Sequence, residues 1–263
     1  MHEGKITFEG LALNGLQAHT EGMKTSMVAP GVYRVALGMV NAYLIEAEDG
    51  SLTLVDAGTP SDARHILDAA AGLGKSPADI RRIVLTHLHY DHSGSLAELA
   101  LATGAAVWAH PAEAALLATG SAARPFLPGP GAINHVVVAL MSKGGEVRVR
   151  PCPGILPLSD RMEIPGSGGL KAVFLPGHTE GHTVFLFPNT GAAHEARPRV
   201  LFVGDELFHI TRLAWGFVYE DFPKAREALG RICTLDFDVA CFGHGRPLAG
   251  KAASRINAAF TRS

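Results

Sequence analysis

Cysteine is scarce: three residues in 263, Cys152, Cys233 and Cys241, with no C-x-x-C pair. That excludes a disulfide framework and leaves the three as buried free thiols. Charge is also thin, at 18% of residues with a net charge of -2 and no run of Lys or Arg, so the electrostatic footprint of a nucleic-acid or membrane-surface binder is missing. No segment approaches the ~18 uncharged apolar residues of a membrane span. The start, "MHEGKITFEG", has no basic stretch followed by an apolar one, so export has no sequence signal either, and the cytoplasm is the expected compartment. There is no G-x-S-x-G elbow to supply a serine nucleophile. A repeat of solenoid period, a low-complexity tract and a polar linker are all missing as well, which argues for residues 1–263 as a single domain.

What is present is a chain that is 47% hydrophobic and holds thirteen histidines. A sizeable core is therefore within reach. Short apolar or alternating runs, "VYRVAL", "NAYLIEA", "LTLVDAG", "RRIVLTH" and "AAVWAH", predict strands in the first half. "LKAVFLP", "HTVFLFP", "RVLFVGD" and "DVACFG" predict them in the second. "SDARHILDAAAGLG" and "SLAELALATG" carry apolar residues at helical spacing and end in glycine, and further helices are expected near 222–235 and 249–262. Two sheet-forming halves with helices outside them make a layered α/β sandwich. Residues 120–160 break the rhythm with clustered Pro and Gly around an apolar patch, and read as an inserted lid or loop region.

Chemistry concentrates in "THLHYDHSGS", residues 86–95, where His87, His89, Asp91 and His92 fall within six positions. If the preceding strand continues through them, alternation turns His87, His89 and Asp91 one way and His92 the other, enough for one metal or for two. Ser95 and Glu98 in "SLAE" fit a capping box that would start a helix directly after the cluster. Three later segments end an apolar run in a ligand type: His178 after "AVFLPG", Asp205 after "VLFVG" and His244 after "VACFG".

The order H-x-H-x-D-H, lone His, Asp, final His resembles the metallo-β-lactamase superfamily. The resemblance takes in Asp56 of "LVDAG" and the "PGHTEGH" turn, and spans roughly residues 30–247. It implies the family's four-layer αββα sandwich. It further implies that His87, His89 and His178 bind one divalent ion and Asp91, His92 and His244 a second, with Asp205 bridging them. The ligand mixture suits zinc, and iron and manganese also accept it. Two such ions roughly 3.5–4 Å apart can share a hydroxide. The expected enzyme is then a metal-dependent hydrolase of a small carbonyl compound, a lactone, thioester, ester or β-lactam, with catalytic roles for Asp91, as proton shuttle, and Asp205. Asp56 is the candidate outer support of the metal loop, whereas His182 is no ligand in this family.

Substrate selection should come from residues 120–160 and from "ELFHITRLAWGFVYEDF". Phe126, Val136 to Met141, Phe208, Trp215, Phe217 and Tyr219 are candidate apolar walls, against core or dimer contact, and a homodimer is allowed. Arg124 and Arg212 could meet a substrate carboxylate, against simple solvent exposure. Neither nucleic acid nor a membrane is an expected partner. The alternative activity is an iron-dependent persulfide dioxygenase on the same fold, which would need one iron rather than both halves of the site.

Overall fold

The computed structural model describes residues 25–141, 147–188 and 197–260. Strands β1 (Thr25–Ala29), β2 (Val32–Leu37), β3 (Val40–Glu46), β4 (Leu52–Val55), β5 (Ile80–Val84) and β6 (Ala106–Ala109) lie side by side in chain order. β7 (Leu127–Pro128) leaves this sheet, and β8 (Leu156–Pro157) completes it beside β6. The second sheet holds β9 (Lys171–Phe174), β10 (Thr183–Phe187) and β11 (Val200–Gly204). A hairpin of β12 (Leu207–His209) and β13 (Leu213–Trp215) follows, then β14 (Val218–Tyr219), which pairs with β7, and β15 (Val239–Phe242), which returns beside β11.

The strand sequences are near-continuous apolar runs because both faces of each sheet are covered. Between the sheets, Tyr43, Ile45, Val55 and Val84 meet Phe185, Val200, Phe202 and Cys241. Alternate residues of the first sheet, Leu44, Leu52, Leu54 and Ile83, face outward onto Ile66 and Ala70 of the helix Ala63–Gly72 and Leu99 of the helix Leu96–Thr103. On the far side Leu201, Val203, Ala240 and Phe242 pack against Leu229 and Ile232 of the helix Phe222–Ile232 and Ile256 of the helix Ala252–Phe260. The result is the expected αββα sandwich, each fully buried large apolar side chain contributing about 1.5–3 kcal/mol. All three cysteines are free, Cys152 and Cys241 buried and Cys233 partly so.

Two local expectations need correction. β5 stops at Val84, and Tyr90–Ser93 forms a helical turn, so strand alternation does not sort the cluster. It is the turn that swings Asp91 to the side of His92. Ser95 does not close a capping box on its own helix: its side chain makes no cap hydrogen bond there, and Glu98 is exposed. Instead the Ser95 hydroxyl donates to Thr59 O and accepts the N–H groups of Asp62 and Ala63, each at 3.0 Å. Both N–H groups stand at the start of the neighbouring helix, where backbone donors lack intrahelical acceptors, and Asp62 N–H is shared with Thr59 O at 3.1 Å.

In the 120–160 region, "INHVVVALM" lies in a helix, Ala132–Met141. The antiparallel pair β7–β14, with Gly129 N–H donating to Phe217 O at 2.8 Å, ties this region to the segment after Asp205. Residues 142–146 lie outside the described part. No helix among the described residues is long and apolar enough to cross a membrane.

Candidate metal centre

The loops following β5, β9, β11 and β15 converge at one end of the sandwich. They bring His87, His89, Asp91, His92, His178, Asp205 and His244 into three overlapping groups, His87/His89/His178, His87/His92/Asp205 and Asp91/His92/His244, with candidate ligand atoms within 4.8 Å of one another in each. The rings of His87, His89 and His178 form a near-equilateral triangle, with centroids 4.6 to 4.8 Å apart. Asp205 stands between this triangle and the other group. Its Oδ1 lies 3.3 Å from His92 Nε2, and its Oδ2 lies 3.1 Å from His244 Nε2 and 3.9 Å from His178 Nε2. Asp91 Oδ2 faces His244 Nε2 at 3.4 Å.

The backs of the rings are held. His178 Nδ1 donates to Val218 O at 2.9 Å and His244 Nδ1 to Met39 O at 2.8 Å. A carbonyl only accepts, so each of these rings carries its proton on Nδ1 and turns Nε2 inward. His92 Nδ1 donates to Asp56 Oδ2 at 3.0 Å. His87 Nδ1 donates to Thr86 Oγ1 at 2.9 Å, and that hydroxyl donates to Asp56 Oδ2 at 2.8 Å. Asp56 therefore orients both rings, and it also accepts Thr86 N–H at 2.8 Å. It does this from φ 62°, a left-handed conformation that non-glycine residues other than Asn, Asp and His rarely adopt. Replacing it with asparagine, which tolerates the backbone but puts an amide N–H₂ among these donors, should weaken metal binding by about 10–100-fold. Competition with a chelator measures the loss, and unaltered affinity would refute the role.

Buried imidazoles and carboxylates shift one another strongly. Burial drives His87 and His178 well below the ordinary imidazole range, helped by their histidine neighbours, and lowers His89. His92 and His244 go the other way. Burial opposes their protonation, but Asp205 and Asp91 outweigh it, raising His92 well above its usual value and His244 to about 10. Asp205 and Asp91 are likewise resisted by burial and still fall, Asp205 well below the carboxylate range through His244 and His92, and Asp91 to about 2 through the same two rings. A divalent cation held here would supply the positive charge that protons on His92 and His244 otherwise provide.

The residues fit such a cation. His87 Nε2, His92 Nε2 and Asp205 Oδ1 are buried at the centre without hydrogen-bond partners, an arrangement too costly to leave unexplained. His89 Nδ1 and His178 Nε2 face each other at 3.0 Å, and two imidazoles whose inner nitrogens point at one place suit a shared ion. Backbone shape reserves the space. A Cβ on Gly243 would fall 2.0 Å from Asp205 Oδ1 and 2.6 Å from His92 Cε1.

The other residues named from the sequence find these places. His182, set aside as a ligand, accepts Asp205 N–H on Nε2 at 3.3 Å and so supports the Asp205 loop. Burial lowers it to about 4, keeping it the neutral acceptor this contact needs. Arg124 does not await a substrate carboxylate: it donates to Glu113 Oε1 at 2.9 Å and to Ala112 O at 2.6 Å, and pairs with Glu220 at 3.4 Å. Arg212 is exposed. Tyr219 is fully buried, accepting Gly216 N–H and donating to Glu206 O, each at 2.7 Å. Trp215 packs on Phe222 and Phe260, against the helix layer. Of the candidate aromatic walls, Phe208 stays at the site, its ring 4.6 Å from His244, with Phe217 5.1 Å behind it. The Met39 carbonyl that holds His244 belongs to a residue whose side chain is exposed.

Comparisons with known proteins give the family. The family model of the metallo-β-lactamase superfamily matches residues 35–244. The probable metallo-hydrolase YflN of Bacillus subtilis (strain 168) is 27% identical over 241 residues, 85% of this chain and 87% of that protein. The hydroxyacylglutathione hydrolase of Fuscovulum blasticum is 29% identical over 206 residues, covering 77% of this chain and 61% of that enzyme. Among solved structures, a B3 metallo-β-lactamase described as having an active-site glutamic acid shares the fold, with a TM-score of 0.70 at 22% identity over 95% of this chain and 92% of that one. The chain belongs to the metallo-β-lactamase superfamily and is a metal-dependent hydrolase of that family.

Proposed function

We propose that the chain is a two-ion hydrolase of a small carbonyl substrate, with zinc as the metal, acting in the cytoplasm as a single domain whose 120–160 region flanks the site as a lid. His87, His89 and His178 would hold one ion, Asp91, His92 and His244 the other, and Asp205 would lie between them. The observation that carries this reading is the position of Asp205, whose two oxygens face members of both groups at 3.1 to 3.9 Å. When bound, two such ions supply an activated water, its pKa brought from 15.7 to about 7, and a Lewis acid for the substrate carbonyl.

The chain's own part is orientation and proton handling. Carbonyl and carboxylate partners behind the rings fix which nitrogen each presents. Asp91 Oδ2 is turned toward His92 and His244, which leaves Oδ1 of this partly buried carboxylate to take up the proton that the attacking water would release and hand it on to the leaving atom. Phe208, whose ring lies 4.6 Å from His244, would offer an apolar surface beside the ions, suited to the body of an acyl or lactone substrate rather than to a polyanion. The names of the relatives put a thioester of the hydroxyacylglutathione type and a β-lactam among the candidates, beside lactones and simple esters.

A panel of lactones, thioesters, β-lactams and phosphodiesters, assayed with zinc-, manganese- and iron-loaded protein, tests the reading. Turnover of at least one carbonyl class is expected. Turnover of phosphodiesters alone, or persulfide-dependent oxygen uptake by a one-iron protein, would overturn it.

A further inference from the structure

Behind the three-histidine group lies a second charged cluster with no place among the candidate ligands. Glu113, in the first turn of the helix Pro111–Leu117, is only 1% exposed. Its Oε2 accepts Leu88 N–H at 2.8 Å, and its Oε1 accepts both Gly181 N–H at 2.8 Å and Arg124 Nη1 at 2.9 Å. Leu88 is the residue between His87 and His89. Gly181 sits in the turn that runs from His178 to His182. One carboxylate thus grips, from outside the site, the two loops that carry all three histidines of the triangle.

Arg124 extends the grip to a third segment. It is anchored on Ala112 O and pairs with Glu220, whose Oε2 accepts Glu180 N–H at 2.7 Å. Glu220 N–H donates to His178 O at 3.1 Å, and Val218, two residues earlier, supplies the carbonyl that holds His178 Nδ1. Both faces of the His178 loop are therefore tied to the Glu113–Arg124 pair. Contact is close enough that only glycine fits at 181, since a Cβ there would lie 2.5 Å from Glu113 Oε1 and 2.7 Å from His110 Nδ1.

We infer that Glu113, with Arg124 as its counter-charge, is a positioning residue that sets the spacing of His87, His89 and His178 and so tunes the ion those three would hold. The inference rests on the two-ion reading given above. The chemistry asks for a carboxylate. Three donors arrive on two oxygens, and a buried group that only accepts meets them all, whereas a glutamine of the same shape must turn an N–H₂ toward one of them. Arginine suits the partner position because its planar fork bonds Glu113, Ala112 O and Glu220 together, which a lysine ammonium does less well. No hydrogen bond or ion pair among the described residues joins the side chains of Asp91, His92 and His244 to Glu113, Arg124 or Glu220, so the effect should fall mainly on one ion.

The test is Glu113→Gln, with Arg124→Gln as a second variant in case the first does not fold. Cobalt(II) is loaded as a spectroscopic probe, affinity for each equivalent is read by chelator competition, and the melting temperature of the metal-free protein is followed in parallel. A folded Glu113→Gln chain should lose about 10–100-fold in affinity for one ion and keep the other, with altered cobalt bands. Arg124→Gln should move in the same direction by less. Variants that melt earlier without metal yet bind both ions with wild-type affinity and spectrum would overturn the inference, leaving the cluster a mere fold tie. A wild-type chain that holds a single ion would instead contradict the two-ion reading, and the variant-to-wild-type ratio for that ion would still decide the role of Glu113.

Discussion

Asp205→Asn should leave a folded chain that has lost hydrolysis by more than the ~100-fold upper range for removing an outer partner. Asp205 Oδ1 lies 3.3 Å from His92 Nε2 and Oδ2 lies 3.1 Å from His244 Nε2. The side chain is buried, so solvent cannot compensate for a lost charge. Asparagine keeps the shape, removes the anion and turns an N–H₂ toward nitrogens or toward an ion, where a donor has no use. Metal content should fall along with activity, and His89→Ala should do the same to the other side of the site. Elemental analysis and turnover on the same preparations check both variants. Near-normal values in either would refute the assignment.

Gly243→Ala should damage the site as badly with a single methyl group. The glycine backbone cannot retreat, because its N–H donates to Gly204 O at 2.9 Å and its carbonyl accepts Asn41 N–H at 2.8 Å. The added Cβ would stand 2.0 Å from Asp205 Oδ1, a contact no real structure tolerates, so the Asp205 carboxylate or the His92 ring must move. Neither can do so without leaving its partners. We expect loss of both turnover and metal comparable to that of Asp205→Asn, with the fold retained as judged by circular dichroism. Gly230→Ala, at a helical position with nothing within 4 Å, serves as the control and should be silent.

The contrast between these positions shows what could be read from the sequence. The sandwich was legible because its strands are buried on both faces and so spell continuous apolar runs, as in Val200–Gly204 and Val239–Phe242. The seven residues that converge at one end of the sandwich were legible as candidates because each directly follows such a run or sits in a compact motif. The sorting of ligands by strand alternation failed, since a four-residue helical turn at Tyr90 leaves no periodic trace. Ser95 misled for a related reason: a serine before a helix looks like its cap, and only the fold reveals the N–H groups of Asp62 and Ala63 that it accepts instead. Glu113 was invisible because its partners lie 25, 68 and 11 residues away along the chain, and no local pattern encodes that meeting. Trp215 and Tyr219 were legible as aromatic but not as inward-facing, because strands of two or three residues carry no alternation to read.

The most direct measurement is the number of metal ions per chain, by elemental analysis of protein equilibrated with zinc and freed of loosely bound ions. The seven-residue site predicts two zinc ions in the native chain and fewer in Asp205→Asn. A single ion in the native chain, above all one iron accompanied by persulfide-dependent oxygen uptake, would contradict it.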